Sequence, residues 1–365
     1  MPKKIDKIFL ISFFALLIVG FTVFISASLG IYARDNAKFT AIIFNQTFLG
    51  LFSGLVACLI VSKINYKFWR KYSFYIFILS VIATLLVFVP GIGISHGGAK
   101  RWIYIGSLSF QPLEFLKIGF IIYFATWISS VKDKIKTIKF GLLPFLILIG
   151  IVGLILLNQP DTDSFIIMFI VGISMYIIGG GKWRHMFLIG LFGIIAISIL
   201  FFMRPYLLDR LETFLNPADN PLTSGYQIQQ SLIAVGSGEI FGRGLGQSIQ
   251  KFKFLPESIG DAIFPIAAEE FGFIGSVLII LLYIFFISRG LKIGSQAPDI
   301  FSGLLVIGIV ILITIQSFLN IASMIGVIPL SGSPLIFFSQ GGTALFFTLA
   351  EIGIIINISK YKKNA

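Results

Sequence analysis

Cysteine is almost missing from this chain: Cys58 is the only one, and it lies in an apolar run. No disulfide and no thiolate metal site can be built from it. Histidine is nearly as scarce. His96 and His185 stand far apart, which argues against a histidine-ligated metal and against a serine–histidine nucleophile system. Charged residues make up only 12% of the chain, about half the share of a soluble protein. A phosphate-loop lysine motif is absent, which removes ATP hydrolysis. The stretch "GRGLG" lacks the third glycine and the preceding strand of a dinucleotide fingerprint.

What fills the chain instead is apolar: 57% hydrophobic residues, with 40 phenylalanines. Apolar stretches near 20 residues recur, the length that crosses the ~30 Å hydrocarbon layer of a bilayer. They predict spans at 8–31, 39–62, 72–93, 111–130, 140–157, 164–181, 185–204, 262–288, 300–327 and 339–358. The expected fold is an all-α polytopic membrane protein of about ten transmembrane helices. It forms one membrane domain over 1–365, with a large extracytoplasmic loop, 205–261, between the seventh and eighth spans. The first segment is too long for a signal-peptide core and lacks a small-residue cleavage site, so it reads as a retained span.

The net charge of +12 does not gather into a nucleic-acid patch. With the N-terminus cytoplasmic, the inner segments hold basic residues such as Lys63, Arg70, Lys132, Lys139, Arg184 and Lys292. They outnumber the basic residues of the outer segments by about two to one. Both termini are therefore placed in the cytoplasm. The surplus charge serves orientation and anionic lipid headgroups, and no nucleic-acid partner is needed.

Most connections are short. Three are not, and all three fall on the outer side: 94–110, 205–261 and 328–338. The longest carries "GYQIQQSLIAVG", where Ile228, Leu232 and Val235 recur at helical spacing and predict a short amphipathic helix lying on the membrane. Irregular backbone near a membrane is tolerated where it is buried in protein or lines a wet cavity. An outward-facing site assembled from these loops is the economical inference.

The residues able to do chemistry lie in or beside them. Gln111, Glu114 and Lys117 are spaced three apart at the start of the fourth span and share one broad face. Glu114 and Lys117 can pair. That pair is either a structural ion pair or, with Lys100 and Arg101, part of a polar cavity for an anionic ligand. Arg101 beside Trp102 suits a diphosphate headgroup. Asp161 in "NQPD" reads as a helix cap. Asp261, directly before the eighth span, reads either as a cap or as a general base beside a cationic patch, to which Lys251 and Lys253 would contribute. Glu257 falls in a first turn. Of Glu269 and Glu270, one is expected to pack or to pair with Lys117.

These stretches together resemble the SEDS family of polytopic bacterial proteins, that of FtsW, RodA and SpoVE. The likeness runs over essentially the whole chain. It rests on "GGAKRWIYIGSLSFQPLEFLK", on "NQPD", on "GSGEIFGRGLGQSIQKFKFLPESIGDAIFPIAAEEFGFIG" and on "GVIPLSGSPLIFFSQGGT". The "GQS" and "LPE" portions look closer to the FtsW branch than to the RodA branch. The resemblance implies a peptidoglycan glycosyltransferase that polymerises lipid II at the outer face of the bacterial cytoplasmic membrane, for division or elongation. It implies a class B penicillin-binding protein, a transpeptidase, as partner. The family's catalytic aspartate falls on Asp261, and its arginine, glutamate and lysine fall on Arg101, Glu114 and Lys117. Lys100, Gln111, Lys253, Glu257, Ser339, Gly341 and Gly342 complete the expected substrate-binding set. A divalent cation, magnesium or manganese, would assist the diphosphate chemistry, although no cage for it stands out.

The chain also departs from the family pattern. Ile259 and Gly260 stand where His-Thr is usual, Gln340 replaces a tyrosine, Leu113 a serine, and Asp163 a favoured glycine. Two other functions use the same residues: a transporter of lipid-linked precursors, which would not need Asp261 chemically, and a non-catalytic scaffold for the transpeptidase.

Overall fold

The computed structural model describes residues 5–96, 99–105, 108–203, 205–217, 224–252 and 254–361. The first helix, α1 (Lys7–Tyr32), starts where the Asp6 carboxylate accepts the Phe9 amide at 3.0 Å, a side-chain cap of the usual kind. Helix α2 (Asn36–Phe44) continues through a π-helical stretch, Asn45–Phe52, into α3 (Ser53–Val61). Helix α4 (Tyr66–Leu85) leads to the outer connection. Helices α5 (Pro112–Val131), α6 (Leu143–Asn158), α7 (Thr162–Ile178) and α8 (Trp183–Met203) follow. After the long loop come α11 (Ile263–Ser295), α12 (Ile300–Met324) and α13 (Gly342–Ser359). Each expected span overlaps a helical segment, with bounds that differ by several residues. Among the described residues, eight are long and apolar enough to cross a membrane, and Thr162–Ile178 is a shorter apolar helix. The protein is a multi-pass membrane protein.

One end of the bundle is fastened by polar contacts. Arg289 on α11 pairs with Asp6 at 2.9 Å. The Asn357 side chain on α13 donates to the Ser62 carbonyl at 2.9 Å and accepts the Tyr66 amide at 3.1 Å. The three unusual connections meet at the opposite end.

There the connection after α4, expected to be irregular chain, forms a small antiparallel sheet. Its strands are β1 (Gly93–His96), β2 (Ala99–Ile105) and β3 (Leu108–Phe110), in the order β1-β2-β3. The long loop contains α9 (Pro205–Leu215) and α10 (Ser224–Ser237). The expected helix is present as α10, but its buried stripe is Ile228, Ser231 and Ala234, while Leu232 is exposed. It packs against α11 as well as facing outward, so its register follows the protein rather than the membrane.

Helix α11 is interrupted. Gly272 takes φ 69° and ψ −167°, and the glycine-rich stretch before α11 closes the gap with main-chain hydrogen bonds. The amides of Arg243 and Gly244 donate to the carbonyls of Glu269 and Glu270 at 3.0 Å, and the amide of Phe273 donates to Glu239 at 2.8 Å. A helix break inside a packed bundle needs such partners, because an unsatisfied buried amide is expensive. The segment before α13 is also drawn inside: Leu335, Ile336, Phe337 and Phe338 are buried, with Phe337 stacked edge-on against Phe13 and Phe286.

Candidate functional site

Asp261 does not cap α11. The capping position belongs to Ala262, and no side chain serves it. Among the described residues, no donor reaches the Asp261 carboxylate. Its backbone is nevertheless held firmly, with the Asn320 amide nitrogen donating to the Asp261 carbonyl at 2.7 Å and to the Ser333 carbonyl at 2.8 Å. Just upstream, Glu257 adopts a positive φ of 49°, and its carbonyl accepts the amides of Gly260 at 2.9 Å and Ala262 at 3.1 Å. A non-glycine residue in this region is costly and persists where the surroundings enforce it. By contrast, Asp161 does cap α7, accepting the Ser164 amide at 3.3 Å.

Asp261 opens onto a cavity of about 570 Å³, within the usual range for a small-molecule site. Glu257, Gly260, Gly341, Gly342 and Gln340 supply its polar rim, Trp102 and Phe110 its outer wall, and Leu49 and Phe346 its apolar floor. The rim is braced from α2 and its π-helical extension: the Gln46 side chain accepts the Gly341 amide at 2.9 Å and donates to the Ser339 carbonyl at 3.2 Å. Ser339 lies behind this rim, where its hydroxyl donates to the Gly260 carbonyl at 2.7 Å and accepts the Leu335 amide at 2.8 Å. Among the expected residues, Asp261, Glu257, Gly341 and Gly342 therefore meet in one cavity.

Arg101 sits beside it. Its Nε lies 3.5 Å from Asp161 Oδ2, and it also donates to the carbonyls of Gln159 and Pro160, so two motifs read separately in the sequence are one contact. Burial pushes the Asp261 carboxyl up to about 7; the carboxylates of Glu257 and Asp163 add to this, and the guanidinium groups of Arg101 and Arg210 pull back. A base tuned near neutrality is suited to proton transfer.

The other expected residues stand apart. Lys100 is exposed on β2, and Gln111 is half-buried at the start of α5, where it makes no side-chain cap. Lys253 lies outside the described residues. Glu114 and Lys117 do pair, at 2.8 Å, and both are buried. Lys117 also donates to Gln316 Oε1 on α12 at 3.0 Å. Neither glutamate of α11 reaches Lys117. Glu270 pairs instead with Lys251 at 2.7 Å, both side chains fully buried. Glu269 accepts from the Ser248 hydroxyl at 2.5 Å and the Ile249 amide at 3.0 Å, and lies 3.4 Å from Arg243. Lys251 is thus spent inside the protein and does not join a cationic patch. Among the described residues, no three His, Cys, Asp or Glu side chains converge as metal ligands, so the donor set does not fit a divalent-cation cage.

Sequence reasoning overlooked Gln46, Asn320 and Gln316, polar side chains inside apolar runs. Their position was the signal, since polar groups at membrane depth are rarely idle. It also gave Arg210 no role and saw Asp163 only as a departure.

The chain matches the model of the cell cycle protein family of FtsW, RodA and SpoVE over residues 6–364. It is 36% identical over 360 residues to stage V sporulation protein E of Bacillus subtilis (strain 168), covering 98% of each chain. It is 37% identical over 309 residues to a probable peptidoglycan glycosyltransferase FtsW of Geobacter sulfurreducens (strain DL-1 / KN400), covering 84% of this chain and 82% of that one. Its fold is similar to that of the rod shape determining protein RodA of Thermus thermophilus, with a TM-score of 0.71, 22% identity and coverage of 99% and 98%. It is also similar to a chain from a peptidoglycan synthase complex that coordinates polymerization and crosslinking, with a TM-score of 0.79, 24% identity and 97% of each chain covered. With the bundle, the cavity and these matches in agreement, the chain belongs to the SEDS family, that of FtsW, RodA and SpoVE.

Proposed function

We propose that this protein is a peptidoglycan glycosyltransferase that polymerises lipid II at the outer face of the cytoplasmic membrane, with its termini in the cytoplasm and a class B penicillin-binding protein as partner. The observation that carries the reading is Asp261: a carboxylate that caps nothing, opens on a cavity with an apolar floor, and has Arg101 nearby. Asp261 takes the proton from the sugar hydroxyl of an acceptor lipid II. The freed oxygen attacks the anomeric carbon of the donor from the face opposite its diphosphate. The C–O bond to the diphosphate breaks, the electron pair leaves with it, and the configuration inverts. Cations beside the site stabilise the charge that develops on the departing group. The buried Glu114–Lys117 pair supports this site by fixing α5 against α12.

The test is polymerisation of purified lipid II by the reconstituted protein with its transpeptidase, comparing wild type with Asp261→Asn. Polymer from wild type and none from a folded variant supports the reading. Equal polymer from both removes Asp261 from the chemistry. No polymer from either, with lipid II crossing the bilayer, turns the reading into a transporter.

A further inference from the structure

Asp163 has no role in the chemistry above, yet it ties together two segments that border Asp261. It stands in the first turn of α7, where an acid is welcome to the helix dipole alone. Its contacts go elsewhere. Oδ2 accepts the Gly332 amide from the segment before α13 at 2.8 Å. The same oxygen lies 3.2 Å from Arg210 Nη1, and Oδ1 lies 3.4 Å from it. A Cβ placed on Gly332 would sit 3.6 Å from Asp163 Oδ2 and equally 3.6 Å from Asp261 Oδ2. The two carboxylates therefore flank one glycine. Asp161 already caps α7, so Asp163 is free to hold other elements.

What it holds is a cation with capacity left. Arg210 on α9 is 40% exposed, its guanidinium lies 5.7 Å from the Tyr206 ring, and Tyr206 is itself tied to Thr162 at 2.8 Å. Of the five N–H donors of a guanidinium, Asp163 engages only those on Nη1. Arg210 also borders a hollow of about 220 Å³ with Gln227, Phe214 and Leu330. A planar fork whose other donors meet no acceptor among the described residues is the group that recognises a phosphate.

We propose that Asp163 is a positioning residue for the glycosyl transfer: by gripping Arg210 and the Gly332 amide together, it fixes beside Asp261 the cation that meets the diphosphate of a lipid-linked sugar. The proposal rests on the glycosyltransferase reading. The charged groups facing Asp261 are Glu257 from the turn before α11, Asp163 from α7, Arg101 from β2 and Arg210 from α9. Removing the Asp163 charge lowers the pKa of Asp261, and removing the Arg210 charge raises it.

The experiment has two arms on Asp163→Asn, Arg210→Gln and Arg210→Lys, each checked for a monodisperse fold. The first is equilibrium binding of undecaprenyl diphosphate to the protein in nanodiscs, which does not depend on turnover. The second is lipid II polymerisation with the transpeptidase across a pH series. Arg210→Gln is expected to weaken diphosphate binding about tenfold, the loss of one charged hydrogen-bond partner. Asp163→Asn should weaken it about threefold and move the acid limb of the rate to lower pH by about half a unit. Arg210→Lys should recover part of the affinity. Unchanged binding in both Asp163→Asn and Arg210→Gln, with only the thermal midpoint lowered, overturns the proposal and leaves a structural ion pair. If wild type makes no polymer, the glycosyltransferase reading falls, and the binding arm still decides whether Arg210 and Asp163 recognise the diphosphate.

Discussion

Asp261 and Glu270 belong to one short stretch of chain, and the fold treats them in opposite ways. Glu270 is sealed, with Lys251 Nζ at 2.7 Å, the Ser26 hydroxyl of α1 at 2.7 Å and the Ser248 amide at 3.4 Å all directed at its carboxylate. Asp261 is anchored through its backbone only, and its carboxylate faces a cavity. A carboxylate whose lone pairs are all used is part of the architecture. One left without donors among the described residues, half-buried at a cavity beside two other acids, is available to take a proton.

The comparison breaks most cleanly when both acids lose their charge. Asp261→Asn should cut polymerisation by about a thousandfold, in the range of a lost general base, and leave the thermal midpoint in detergent nearly unchanged. Glu270→Gln and Lys251→Met should do the reverse, each costing about 3–5 kcal/mol of stability, because each strands a buried charge or its partner. The double variant should regain much of that loss in thermal unfolding. A third variant sharpens the point at the helix break. A Cβ on Gly242, at φ 81°, would lie 2.2 Å from the Glu270 carbonyl oxygen. Gly242→Ala should therefore cost about 1–3 kcal/mol of stability through backbone strain, read as a lower midpoint and poorer yield of folded protein. The smallest effect is on pH. Because Asp261 must be ionised to act, the rate should rise with pH through about 7. Glu257→Gln removes a neighbouring negative charge, lowers that pKa, and should move the acid limb down by about half a pH unit. An unmoved limb would separate Asp261 from the rate-determining proton transfer.

How much of this was legible in the sequence follows from distance along the chain. The spans were legible because the bilayer sets a length that each run must meet. The Glu114–Lys117 pair was legible because three residues is nearly one helical turn. The meeting of Asp261, Trp102 and Gly341 followed from the three long connections falling at one end of the bundle. Partners set by tertiary packing were not. Lys251 looked like a surface cation, and only the approach of α1 and α11 buries it against Glu270. Arg101 and Asp161 were both noted, but nothing local says that β2 crosses the turn before α7. The three-stranded sheet was missed because its strands are short and glycine-flanked, a weak signal. Asp261 and Asp161 look alike as caps, since both precede a helix. Only the position of Ala262 tells them apart.

The seam at Gly272 carries a further consequence. It is closed by main-chain atoms on both sides, through Glu239, Ile240, Arg243 and Gly244. Peptide groups are the same whatever side chain they bear, so most substitutions along the strap leave its bonds intact. The constraint falls on the glycines: Gly238 meets the Ala268 carbonyl, and Gly242 and Gly272 pack against one another's backbone. The long loop can therefore vary in the chemistry it displays while remaining fastened to the helix that follows Asp261, much as a hem holds whatever cloth is sewn above it.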